Sequence, residues 1–89
     1  MTRRIHVVVR GRVQGVGFRY ATIDLARRAG VAGYVRNRSD GAVEAEVEGD
    51  DDGLDAMLEF LRAGPPGARV TGVEVIDVAP RGETAFEVG

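Results

Sequence analysis

The residues of this chain with the clearest capacity for chemistry lie in one stretch, Gly11-Arg12-Val13-Gln14-Gly15-Val16-Gly17-Phe18-Arg19, and in one amide further on, Asn37. A glycine-rich turn running into a helix N-terminus aims several backbone N–H groups inward, and the helix dipole adds partial positive charge there. Such a loop is a seat for an anion. Arg19 falls in the first turn of the helix that follows, where a guanidinium folded back over the loop holds two oxygens of a phosphate at once. Gln14 and Arg12 make the loop polar. The same glycines also suit a plain connector needing positive φ, with Arg19 solvated, so the loop alone leaves both readings open. Asn37 ends a strand just before a turn, where Asn often serves turn geometry. An amide able to donate and accept also suits a place beside a bound phosphate. Arg36 and Arg38 flank it and, by strand alternation, point to the other face.

The elements that must position these groups follow from periodicity. Ile5 to Arg10 is a Val-rich run with Ile5, Val7 and Val9 on one face, as a central strand shows, and Gly11 ends it. From Phe18 to Ala29 apolar residues recur at 18, 21, 25 and 29, and Gly30 closes the helix. Ala32 to Asn37 is a second strand, and Arg38-Ser39-Asp40-Gly41 carries the Asp-Gly pair favoured in hairpin turns. Ala42 to Gly49 alternates, with Val43, Ala45 and Val47 inward and Glu44, Glu46 and Glu48 outward on a wet face. Asp50 to Asp52 cap a second helix whose Leu54, Met57, Leu58 and Leu61 share one side. Val70 to Val78 and Ala85 to Val88 are further strands, the last a short edge. The order βαββαβ plus a final strand predicts an α+β, ferredoxin-like sandwich: an antiparallel sheet with two helices on one face, a single domain over residues 1–89. Tyr20 and Tyr34 are expected between sheet and helix, with either able to border a substrate pocket.

Composition narrows the chemistry. The 12 basic residues are all arginine, there is no cysteine, and His6 is the one histidine. A Walker-type phosphate loop, a Schiff-base lysine, a thiol nucleophile and Cys/His zinc are therefore excluded. The net charge of −2 argues against a general nucleic-acid surface. The short valine run near Met1 soon meets charge, so neither a secretory nor a membrane segment is expected, and a cytoplasmic location is.

Gly11 to Arg19 resembles the first signature of the acylphosphatase family, and Gly33-Tyr34-Val35-Arg36-Asn37-Arg38-Ser39-Asp40-Gly41-Ala42-Val43, continuing to Gly49, resembles its second. The likeness runs from the first strand to Phe86-Glu87-Val88. It implies hydrolysis of the mixed anhydride of a carboxylic acid and phosphate, without metal or cofactor. By motif position Arg19 binds the phosphate and Asn37 orients the attacking water. The backbone N–H groups of Gln14, Gly15, Val16, Gly17 and Phe18 complete the cradle. Expected partners are a small acyl phosphate and inorganic phosphate, with no nucleic acid and no membrane; nothing in the chain gives a reason to exceed a monomer.

That chemistry suits so sparse a set of side chains. The leaving carboxylate, with a pKa of about 4, departs without a general acid, which leaves charge stabilisation and alignment of a water. Two rivals are a ferredoxin-like RNA-binding module and a non-catalytic acyl-phosphate-binding domain of the kind found within larger hydrogenase-maturation proteins. The first strand lacks the aromatics of the former. The length of 89 residues argues against the latter.

Overall fold

β-Branched residues favour extended backbone, and the runs rich in them form the strands. In the computed structural model, which describes residues 1–89, the elements are β1 (Arg3–Arg12), α1 (Phe18–Ala29), β2 (Ala32–Asn37), β3 (Val43–Gly49), α2 (Asp51–Ala63), β4 (Arg69–Val78) and β5 (Phe86–Val88). The sheet order is β4-β1-β3-β2-β5. The first four strands pair antiparallel, and β5 joins β2 in parallel, so the full sheet is mixed. The fold is the ferredoxin-like α+β sandwich. Alternate strand residues Ile5, Val7, Val9, Val35, Val43, Ala45 and Val47 meet Phe18, Leu54, Met57 and Leu61 of the helices in one core. No helix is long and apolar enough to cross a membrane.

Gly11 does not end β1. The strand runs on to Arg12 through a bulge between Arg10 and Gly11. Gly11 has φ 127° there, and a Cβ on it would stand 2.1 Å from the Arg69 carbonyl oxygen, so only glycine lets β4 approach. Beyond the bulge the strand stays paired with β4 through Arg12, and the loop of interest follows.

The buried stripe of α1 is Phe18, Thr22, Ile23 and Ala26, with Leu25 and Ala29 at its margin. Thr22 enters the core because its hydroxyl donates to the Phe18 carbonyl at 2.7 Å, which satisfies it internally. Neither tyrosine packs between sheet and helix. Tyr20 is exposed, and Tyr34 lies half-buried on the opposite face, donating to Glu46 at 3.2 Å.

The expected wet face of β3 is also corrected. Glu44, Glu46 and Glu48 do point away from the helices, yet they are only 8%, 8% and 4% exposed. β3 lies between β1 and β2, and long side chains from both neighbours close over it. Arg4 donates to Glu46 at 2.6 Å and to Glu48 at 3.1 Å, His6 to Glu44 at 2.6 Å, and Arg36 also to Glu44. The backbone N–H groups of Arg81 and Gly82 reach Glu48 from the segment before β5. Alternation showed which way the carboxylates point; it could not show that the neighbours would cover them.

Candidate active site

Asp50 caps α2 in the ordinary manner, accepting from the Gly53 N–H at 2.9 Å. α1 begins differently. Its N-cap is Gly17, left-handed at φ 78°, which makes no side-chain cap bond, and its first turn holds no acidic residue. The N–H groups of Phe18, Arg19 and Tyr20 have no acceptor within the helix. Those of Gln14, Gly15, Val16 and Gly17 also find none among the loop bonds. Gly15, at φ 75°, and Gly17 supply the left-handed turns that gather these donors on one side.

Register brings Asn37 to the same place. Asn37 stands opposite Val43, and Val43 opposite Val9, so the end of β2 is level with the last pair between β1 and β3, three residues before β1 gives way to the loop. A cleft of about 140 Å³ results, lined by Val13, Gly15, Gly17, Phe18, Arg19, Tyr20 and Asn37. Arg19 is half-buried and Asn37 exposed. Arg3, Arg4, Arg10, Arg28, Arg36 and Arg38 all hold carboxylates. Arg19 holds none, and the amide of Asn37 is equally free of protein partners.

Two further residues belong to this geometry. Gln14 was expected to contribute its backbone; its side chain also matters, because Nε2 donates to the Arg38 carbonyl at 2.8 Å and the Ala42 carbonyl at 2.9 Å. It fastens the glycine loop to the β2–β3 turn. Its signal in the sequence was an amide standing alone between Val13 and Gly15. Tyr20 is the other, at the rim of the cleft. Arg12, in contrast, ends β1 opposite Arg69 and does not line the cleft.

No carboxylate or imidazole lines the cleft. The nearby Asp40 is committed to the turn: the Ala42 N–H foremost, with Arg38 and Arg10, holds its carboxyl below the usual range. What the arrangement offers is donors, one permanent cation and one neutral amide. It suits binding an anion with several oxygens and orienting a small polar molecule against it.

These features define a small α+β domain with a donor-lined cleft at an uncapped helix N-terminus. The acylphosphatase family profile matches residues 5–88. An acylphosphatase of Anaeromyxobacter dehalogenans is 55% identical over 86 residues, covering 96% of this chain and 92% of that protein. The crystal structure of the Bacillus subtilis acylphosphatase superposes with a TM-score of 0.94 at 37% identity, covering 100% of this chain and 99% of that one. An acylphosphatase structure from Coxiella burnetii gives 0.94 at 35% identity, covering 99% and 93%. The chain belongs to the acylphosphatase family. It is a hydrolase of acyl phosphates, taking a small-molecule substrate and releasing inorganic phosphate.

Proposed function

We propose that the phosphoryl group of an acyl phosphate binds in the cleft between the glycine loop and Arg19, and that Asn37 aligns the water that attacks it. The supporting observation is that Arg19 and Asn37, carried by different elements and free of protein partners, line one cleft with the open loop. The N–H groups of Gln14 through Phe18 donate to phosphoryl oxygens, and the planar fork of Arg19 takes two of them. Both grips strengthen as charge shifts on these oxygens in the transition state. The Asn37 carbonyl accepts one hydrogen bond from the water and points its oxygen at phosphorus.

The water oxygen then bonds to phosphorus as the acyl C–O–P linkage opens at its P–O bond, and the pair of electrons leaves on the carboxylate. Asn37 is neutral and Arg19 permanently charged, so neither removes the water's proton; a phosphoryl oxygen of the substrate takes it. The products are a carboxylate and inorganic phosphate. Loop, arginine and amide all come from one chain, so a monomer contains the whole site.

The test is hydrolysis of benzoyl phosphate in excess chelator by the wild type and Arg19→Ala. Activity that resists the chelator and is lost with Arg19 is expected. Activity that persists in Arg19→Ala would overturn the assignment.

A further inference from the structure

Tyr20 is placed where packing has no use for it. It is 71% exposed, its hydroxyl has no protein partner, and it stands at the rim of the cleft that holds Arg19 and Asn37. It is also the near wall of a second concavity of about 330 Å³, lined by Tyr20, Ile23, Asp24, Arg27 and Val88. The two hollows share Tyr20, so they lie around one exposed ring.

The groove follows the helix. Residues 20, 23, 24 and 27 are spaced i, i+3, i+4 and i+7 and form one stripe on α1. At the helical rise this stripe is about 10 Å long, starting beside the uncapped N-terminus. Val88 of β5, 48% exposed, forms the opposite wall. The groove's apolar lining comes from Tyr20, Ile23 and Val88, and its polar lining from Asp24, which pairs with Arg28 at 2.9 Å, and Arg27, which has no ion-pair partner.

An acyl phosphate held by its phosphoryl group at the loop must send its acyl group out past the rim. Asn37 and Tyr20 both line the cleft from which it leaves. We propose that the groove bounded by Tyr20, Ile23 and Val88 is the acyl subsite, and that it selects acyl phosphates with a flat apolar acyl group, an aroyl group above all, over short aliphatic ones. This rests on the acyl phosphate reading above. An aromatic face offers stacking that a methyl group cannot use, and an already exposed ring requires no rearrangement to receive it.

The experiment measures kcat/KM for benzoyl and acetyl phosphate in the wild type, Tyr20→Ala, Tyr20→Phe and Ile76→Ala. Ile76 is an exposed apolar residue on β4, outside both hollows. The benzoyl-to-acetyl ratio is expected to fall about fivefold to tenfold in Tyr20→Ala, the range of one aromatic stacking contact. Tyr20→Phe keeps the ratio because the ring does the selecting, and Ile76→Ala keeps it because that surface is remote. A wild type active on both substrates, with a ratio insensitive to Tyr20→Ala, overturns the subsite alone. A wild type inactive on both removes the hydrolysis reading and this subsite with it.

Discussion

Gln14 is bonded to Arg38 across the site: its Nε2 donates to the Arg38 carbonyl at 2.8 Å, and the same nitrogen reaches Ala42 at 2.9 Å. The turn it grips closes on itself, with the Arg38 N–H donating to the Ala42 carbonyl at 2.8 Å. One amide thus holds the glycine loop and the turn that follows Asn37 in a fixed relation. Gln14→Ala is expected to lose about 1–2 kcal/mol of stability, the net worth of two hydrogen bonds. It should lower kcat while leaving the affinity for inorganic phosphate nearly intact. If Gln14 acts by positioning Asn37, the double variant with Asn37→Ala loses little more than Asn37→Ala alone. Additive losses in that cycle would assign Gln14 a separate role.

Arg19 has no protein partner, so its replacement tests binding without disturbing the fold. Arg19→Lys retains a charge and loses the planar fork. We expect kcat/KM to fall about a hundredfold or more, as when a preorganised transition-state donor is removed. Inhibition by inorganic phosphate weakens with it, and the urea midpoint stays at the wild-type value. Unchanged phosphate inhibition would remove the anion from the α1 N-terminus.

Asn37→Ala separates orientation from binding. The amide comes from β2 and the loop donors from the β1–α1 connection, so in the proposed site phosphate retains the backbone N–H groups and Arg19 when the amide is removed. kcat is expected to fall about 10²- to 10³-fold with little change in phosphate inhibition, the pattern of a group that acts only on the way to the transition state. Equal losses in both would make Asn37 a structural turn residue.

The site was legible in sequence wherever a local signal and a backbone conformation coincide. Gly15 and Gly17 announced left-handed turns, Phe18 to Ala29 a helix, and Ala32 to Asn37 a strand ending at an amide, and all three stand in the structure. Their convergence needed only strand register. What stayed hidden depends on neighbours far along the chain. Nothing local to Gln14 says that its amide will find carbonyls 24 and 28 residues away. Nothing in the alternation of Glu44, Glu46 and Glu48 says that Arg4 will lie over them with a fully buried side chain. For Tyr20 the pocket-bordering reading stands and the packing one does not: an aromatic in an amphipathic helix is ordinarily core, whereas Phe18, Thr22, Ile23 and Ala26 already fill that face.

The charged layer over β3 makes stability sensitive to acid, in a direction its partners determine. Burial works to raise Glu46 and Glu44, but the hydrogen bond from Arg4 to the first, and those from His6 and Arg36 to the second, outweigh it. Glu48 is held low first by the Arg81 N–H, then by Arg4 and Gly82. Each carboxyl therefore has a folded pKa below its unfolded value of about 4.3. Below that value the unfolded chain binds more protons than the folded one, so the stabilisation is full above it and is lost as pH falls through the depressed values. The urea midpoint should hold from neutrality to about pH 5 and drop steeply below about pH 4. Arg4→Met removes the cation from Glu46 and Glu48 and is expected to destabilise by about 3–5 kcal/mol at neutral pH, the cost of stranding buried charge. Protonation relieves stranded carboxylates, so the gap between wild type and variant must narrow as the solution is acidified. Urea titrations of both proteins across this range decide the point: parallel curves would mean that Arg4 contributes packing alone, and converging curves that its charge ties β1 to β3 and to Glu83 in the segment before β5.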